Sequence, residues 1–377
     1  MERIAVDLDL LKKAVPGWND ANETNIKIKA LSVFDSESAA LYRVKYANSP
    51  LNITYRRFDN EECFKKYKLP EDDGLGPKLI YSQYPIMIHE YITEAKAPGL
   101  DGILKPKVYN SLFRELTKYH KIRPGDEFTG KTFLSIYLNM KTEEQSPTAL
   151  ANFCQACDSA QNRDDLTEKD KSSFKKIQKI LDETEFISKL VKPLRLFWCH
   201  NDLHESNLLW DPITNKITLL DFEDSAYNFR GYDLANVLLE TEWDLIDEYP
   251  NYRKLGAKYD QKDEERFLLL YTLHWIDPIW EKNPALSGIE LESLSKDDIK
   301  VLIPNEEERE LFWENFEEVK KEYFIGKICT SYVWTIWNAL QFSVPEEDWL
   351  HLELACMKFD LYYECKKAYL DVFDVII

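Results

Sequence analysis

Between Phe197 and Phe229 the chain reads FWCHNDLHESNLLWDPITNKITLLDFEDSAYNF, and four residues in it could do chemistry together. Asp202 is followed five residues later by Asn207, then an apolar run (Leu208 to Trp210), a turn (Asp211 to Lys216), a second apolar run (Ile217 to Leu220), and the carboxylates Asp221 and Glu223. Two apolar runs flanking a Pro- and Asn-containing turn predict a β-hairpin. At ~3.4 Å per residue the chain climbs about 10 Å and returns, which brings Asn207 and Asp221 side by side at the open end. An amide oxygen beside a carboxylate suits magnesium, which takes a few hard oxygen ligands plus phosphate oxygens, and Glu223 could help hold a second ion. Asp202, on the loop just before, is placed to orient an attacking hydroxyl and accept its proton. The chemistry so described is phosphoryl transfer. A purely structural reading, with Asp202 capping a turn, Asn207 ending a strand and Asp221 a solvated strand terminus, treats each residue singly.

A bare HxDxxxxN pattern arises by chance in many chains. Here His200-Asn201-Asp202 and Asn207 are joined to Asp221-Phe222-Glu223 at the hairpin-return spacing and to the run Tyr227-Asn228-Phe229-Arg230-Gly231-Tyr232-Asp233-Leu234-Ala235-Asn236. The set resembles the signature of the choline/ethanolamine kinase family. That resemblance implies an α+β, two-lobed protein-kinase-like fold, with a small β-rich amino-terminal nucleotide-binding lobe (1–92) and a larger, mainly helical catalytic lobe (93–377). It implies ATP as phosphoryl donor, Mg2+, and a small amino alcohol, choline or ethanolamine, as acceptor in the first step of phospholipid head-group synthesis. A homodimer is compatible with it.

The surrounding elements are expected to position these groups. Strand-like runs at 26–34, 41–46 and 52–58 resemble the first three strands of a kinase amino-terminal lobe, with a polar loop, Asp35 to Ala40, where kinases cover the nucleotide. Such loops usually hold glycines so that backbone amides can approach phosphates. This one has none; Ser38 matches the family's small hydroxyl residue and is a candidate phosphate donor. Arg56 aligns with the basic residue that reaches the nucleotide phosphates, and strand alternation sends Arg56 and Arg57 to opposite faces. A short helix over 61–68 offers Glu62 as a partner for Arg56. Residues 75–79 and 87–92 resemble the next two strands, and the Tyr91-Ile92 hinge would hold adenine by its backbone.

Further along, helices are predicted over 104–123 and from Phe174 towards Pro193, with His120 a packed structural residue. Asp233 opens a helix whose core face is Leu234, Val237 and Leu238; the resemblance makes it a brace for the catalytic loop, its local role an N-cap. Asp224 and Glu240 are candidates to face a cationic head group. In the helix 325–342, Ile325, Ile328, Cys329, Tyr332, Ile336 and Leu340 form a core stripe from which Trp334 and Trp337 point away at 100° per residue. The two tryptophans resemble the family's amine pocket, where an aromatic face attracts an ammonium by ~0.5–2 kcal/mol. Aligned without gaps, Asp224, Leu245, His351 and Leu354 fall where choline kinases tend to carry tyrosines.

Composition narrows the alternatives. With 48 basic and 67 acidic residues the formal charge is −19, which disfavours nucleic acid and anionic lipid surfaces as partners. No 18-residue apolar run occurs, and the amino terminus lacks the apolar core of a signal peptide, so membrane insertion is not expected and a cytoplasmic protein is. Seven cysteines, an odd and scattered set, read as reduced thiols, and Cys154-x-x-Cys157 lacks the second pair that zinc would need. Two readings compete with the amino-alcohol kinase. One is a kinase of this shape acting on an aminoglycoside or sugar, opposed by the tryptophan pair and the YNFRGYD run. The other is a catalytically silent binding protein, suggested by the glycine-free loop and opposed by intact Asp202, Asn207 and Asp221.

Overall fold

The computed structural model describes residues 6–31, 39–72, 74–125, 128, 132–139, 148–245, 252–254, 258–277, 280, 290–342 and 350–373. The chain divides into two compact units, Met1–Ala97 with Ser206–Asp224, and Pro98–Glu205 with Ser225–Ile377.

The first unit is built on an antiparallel sheet of five strands, β1 (Ile26–Ala30), β2 (Ala39–Tyr46), β3 (Asn52–Phe58), β4 (Leu79–Gln83) and β5 (Ile86–Glu90), in the order β1-β2-β3-β5-β4. Alternation along β3 decides what each face does. Ile53 and Tyr55 are buried against Leu11, Trp18 and Val44, whereas Arg56 and Phe58 turn to the opposite side, where the helix Glu61–Asp72 supplies Phe64 and Tyr67. Arg57 falls on the face opposite Arg56, as the alternation requires, and is exposed near the strand's end. Three boundaries differ from expectation. β1 ends at Ala30 rather than at 34. The strand expected over 75–79 begins only at Leu79, because Gly76 and Pro77 interrupt the run and Pro has no amide for the ladder. Its neighbour spans Ile86–Glu90, closing before the hinge. Ser38, with the rest of 32–38, lies outside the described residues.

Also in this unit, β7 (Leu208–Asp211) and β8 (Lys216–Leu219) form the predicted hairpin, paired Leu208 with Leu219 through Asp211 with Lys216; β6 (Phe197–Cys199) precedes it in the chain. Its turn is locally determined. The Asp211 carboxylate accepts from the amides of Ile213 and Thr214, and Asn215 takes φ +54°, a left-handed conformation that Asn tolerates better than most residues.

The second unit is mainly helical, with β6 paired antiparallel to β9 (Ala226–Asn228). Its principal helices include Pro106–Tyr119, Ala149–Ala160, Arg230–Glu240, Gln261–Ile276, Glu306–Gln341 and Leu350–Phe373. The helix expected from Phe174 to Pro193 is instead Glu168–Ile177, a 3-10 segment Gln178–Glu183 and Thr184–Val191. Cys154 and Cys157 lie on the helix Ala149–Ala160. The stripe of the long helix is buried as expected at Ile325, Ile328, Cys329, Tyr332 and Ile336, with Leu340 half-buried; Trp334 is half-buried and Trp337 is 36% exposed.

Two glycines set how the helices Arg230–Glu240 and Glu306–Gln341 meet. A Cβ on Gly231 would lie 2.2 Å from the Glu322 backbone, and one on Gly326 would lie 2.1 Å from the Gly231 carbonyl oxygen. Beside this contact the Arg230 guanidinium, 1% exposed, forks onto Glu322 at 3.0 and 3.2 Å and reaches Glu318 at 3.0 Å. A bidentate pair satisfies both partners, which is what makes a buried charge tolerable. Alanine ordinarily favours a helix over glycine by ~0.5–1 kcal/mol. Gly326→Ala is expected to reverse that sign and destabilise by about 1–3 kcal/mol through backbone overpacking. Urea denaturation measures it, and an unchanged or raised midpoint would contradict the close approach.

Candidate active site

The loop carrying Asp202 is fixed by a single buried carboxylate. Asp233, fully buried, accepts from the His200 amide at 2.8 Å, the Asn201 amide at 2.7 Å and His120 Nε2 at 3.0 Å. The helix begins at Arg230 with Phe229 as its cap, so Asp233 stands inside the first turn. The N-cap expectation is therefore corrected: two residues of the loop take the donors' place that helix amides would have had. His120 is fully buried and structural, as expected. Burial lowers its pKa, opposed by Asp233, so the ring is neutral. Nε2 carries the proton given to Asp233, and Nδ1 accepts from the Tyr271 hydroxyl at 2.7 Å.

Asn201 adopts φ +68°, unusual for a residue other than glycine. Several bonds hold it there. Its side-chain amide donates to the Cys199 and Ala226 carbonyls at 3.3 and 3.4 Å, and its Oδ1 accepts from Asn228 at 2.8 Å. Asp202, the next residue, has a side chain 26% exposed and so remains available to small molecules. His204, which sequence reasoning passed over, places Nε2 3.6 Å from Asp202 Oδ2 and Nδ1 3.8 Å from Glu205 Oε2.

Asn236 connects this loop to the tryptophans. Its amide donates to the Leu203 carbonyl at 3.1 Å and its oxygen accepts from Trp334 Nε1 at 2.8 Å. Trp337 meets Trp334 edge-on at 5.4 Å and His351 at 5.9 Å. The same unit holds Glu240, whose carboxylate is already engaged by Lys358 Nζ at 2.6 Å, the ammonium being buried over the Trp243 ring. Leu354 is a core residue, and the side chain of Leu245 lies outside the description.

In the first unit the hairpin brings Asn207 and Asp221 to one end. The Leu220 amide donates to the Asn207 carbonyl at 2.9 Å, closing the ladder one residue beyond β8. Asp221 follows with φ +59°, the third left-handed residue that is not glycine, and its side chain is 39% exposed. Its Oδ1 accepts from the Tyr67 hydroxyl, which in turn accepts from Arg56 Nη1; Arg56 Nη1 itself lies 3.6 Å from Asp221 Oδ1. The partner expected for Arg56 was Glu62. That residue is exposed at the start of the helix Glu61–Asp72, and the buried Tyr67, five residues further on, faces Arg56 instead. Phe222 packs edge-on against Tyr67 at 5.6 Å. Lys66 Nζ donates to the Glu223 carbonyl at 2.8 Å, while Glu223 and Asp224 are both half-exposed. At the hinge the Tyr91 amide donates to the Asn52 carbonyl at 2.9 Å, and Arg43 lies over the Tyr91 ring at 3.8 Å; the Ile92 backbone follows.

The donor set fits a hard cation: Tyr67 and Arg56 meet Asp221 on Oδ1, and Asn207, which carries an amide oxygen, stands across the hairpin end from it. Among the described residues the one compact group of His, Cys and carboxylate side chains is His120, Cys199 and Asp233, all buried and already hydrogen-bonded within the loop brace.

A family model described as choline/ethanolamine kinase matches residues 27–363. The chain belongs to the choline/ethanolamine kinase family. It is 28% identical over 178 residues to a choline/ethanolamine kinase of Rattus norvegicus, a match covering 46% of this chain and 39% of that one, so the alignment spans about two fifths of that relative's length. Ethanolamine kinase 2 of Mus musculus is 21% identical, with 95% of this chain and 80% of that one covered. The crystal structure of choline kinase from Cryptosporidium parvum superposes with a TM-score of 0.63 at 18% identity, covering 97% of this chain and 96% of that chain. The protein-kinase-like fold expected from the family resemblance is thereby established, and its β-rich and helical parts are those described above.

Tyr67 carried no signal in the sequence beyond its position one turn after the cysteine and phenylalanine that bury the same helix. Tyr67→Phe keeps the ring and removes the hydroxyl between Arg56 and Asp221. We expect a loss of roughly 1.5–3 kcal/mol, the range for hydrogen bonds to charged groups. A urea midpoint equal to wild type would show that the Arg56 and Asp221 contact alone holds the pair.

Proposed function

We propose that the protein transfers the γ-phosphate of ATP to the hydroxyl of choline or ethanolamine. The observation that carries the reading is the meeting, at one hairpin end, of Asn207 and the partly exposed Asp221, in a chain whose Asp202 loop is pinned by Asp233. Asn207 and Asp221 would hold a magnesium ion, with Glu223 beside them, and the ion when bound neutralises charge on the phosphate oxygens. Asp202 orients the acceptor hydroxyl and takes its proton, which is positioning and acid–base work with no covalent intermediate. Arg56, held by Tyr67, reaches the nucleotide phosphates, with Ser38 a further donor. At the hinge the Tyr91 amide is already engaged by Asn52, so the Tyr91 carbonyl and the Ile92 amide are the groups that would meet adenine.

For the acceptor, Trp334 and Trp337 supply aromatic faces for an ammonium group. The link from Trp334 through Asn236 to Leu203 supports this reading, since it ties the aromatic pair to the residue next to Asp202. Of the two candidate carboxylates, Glu240 is already engaged by Lys358, and Asp224 remains a candidate. No helix among the described residues is long and apolar enough to cross a membrane. The smaller unit would bind nucleotide, and the larger one would supply the tryptophan pair for the amino alcohol.

ATP consumption with magnesium and a panel of choline, ethanolamine, aminoglycosides and sugars tests the reading. We expect turnover with both amino alcohols at kcat/KM values within about a hundredfold of each other, and a fall of at least about two orders of magnitude in Asp202→Ala. Trp337→Ala should raise KM for choline more than for ethanolamine. Turnover confined to aminoglycosides or sugars, or none at all, overturns the proposal.

A further inference from the structure

We propose that His204 is a positioning residue for Asp202, its imidazole bridging Asp202 and Glu205 so that the Asp202 carboxylate is held by an ion pair in one orientation. The inference rests on the reading of Asp202 as the group that receives the acceptor's proton. Its geometric basis is the loop itself. Both ring nitrogens face carboxylates, Nε2 at 3.6 Å from Asp202 and Nδ1 at 3.8 Å from Glu205. A neutral imidazole has one N–H and one lone pair, so it would turn an acceptor towards one of the two anions; only the imidazolium offers a donor to both. The side chain is 24% exposed, enough screening from water for the pair to be more than a surface contact, and the loop beneath it cannot relax away because Asp233 holds its two preceding amides.

The charge balance agrees. Burial opposes protonation of His204, but Asp202 and then Glu205 outweigh it and hold its pKa well above the ordinary value for histidine. A group raised in this way keeps its charge through neutral pH and loses it as pH rises through the folded value. By linkage the same pairing favours ionised Asp202, so the carboxylate stays ready to accept a proton at lower pH than it would alone. His204 thus acts through Asp202 and touches neither reactant.

The test combines spectroscopy with kinetics. The chain has six histidines, and the ring-proton NMR signal lost in His204→Gln identifies the one of interest. In the wild-type protein that signal should titrate above 6.5, and Asp202→Asn should move it down by roughly one unit. In steady-state assays with magnesium, ATP and choline, His204→Gln should shift the acid limb of the kcat profile to higher pH by roughly one unit, with the thermal midpoint near wild type. A His204 signal near 6.5 that Asp202→Asn leaves unmoved overturns the pairing, and so does a His204→Gln acid limb superposable on wild type. The two readings fail separately. A protein that phosphorylates no amino alcohol but shows the high, Asp202-dependent titration loses the kinase assignment and keeps the ion pair. An active protein with an unperturbed His204 does the reverse.

Discussion

One buried carboxylate organises the catalytic loop. Asp233 is fully buried, and it meets two consecutive loop amides and a neutral histidine. A carboxylate so placed is tolerable because three donors meet it, two on Oδ2 and one on Oδ1, and hydrogen bonds to an ionised group contribute about 1.5–3 kcal/mol each. The arrangement runs in both directions. The loop satisfies the charge, and the charge fixes His200 and Asn201, which forces Asn201 into its left-handed conformation and delivers Asp202 to the surface of the unit. Arg230 and Gly231, three and two residues before Asp233, lock the same helix to the long helix through the Glu322 fork and the close backbone approach. The RGYD run is therefore a mechanical unit: arginine and glycine seat the helix, and aspartate holds the loop.

The hairpin follows a different logic. Its strands and Asx turn are local, so Asn207 and Asp221 come together within one short segment, to which Lys96 adds a backbone bridge at Trp210. What requires the rest of the unit is the charge on Asp221. Arg56 from β3 and Tyr67 from the following helix meet that carboxylate on Oδ1. Burial pushes the Tyr67 hydroxyl well up, so it remains a donor to Asp221 at any physiological pH. An arginine, a phenol and a carboxylate in mutual contact couple the strand proposed to reach phosphate with the residue proposed to hold metal.

Much of this was legible in the sequence, and the reasons are specific. Spacing alone defines a hairpin, because strand rise and a turn of fixed length leave one geometry, and Asn207 and Asp221 fall where that geometry puts them. Helical periodicity likewise separates the core stripe of the long helix from Trp334 and Trp337. What could not be read depends on packing between segments far apart in the chain. Tyr67 replaced Glu62 as the partner of Arg56 because the buried face of its helix, set by Cys63, Phe64 and Tyr67, is fixed only when β3 lies against it. The cap of the helix Arg230–Glu240 shifted by four residues because Asp233 has tertiary donors stronger than a local cap. Lys358 neutralising Glu240 joins two helices more than a hundred residues apart and leaves no trace in local pattern. His204 was passed over because a histidine between two carboxylates on one loop looks like any polar turn until the ring nitrogens have positions.

The most direct test of the central claim, that Asp233 holds the Asp202 loop, is amide hydrogen exchange at His200 and Asn201 in the wild type and in Asp233→Asn. The substitution keeps shape and removes charge and one acceptor. Strong protection of both amides in the wild type, falling by at least about tenfold in the variant while the β6 amides keep theirs, is the result expected if each bond to the carboxylate contributes more than about 1.4 kcal/mol. Equal protection of His200 and Asn201 in the two proteins would contradict the account, for the loop would then be held by something other than Asp233.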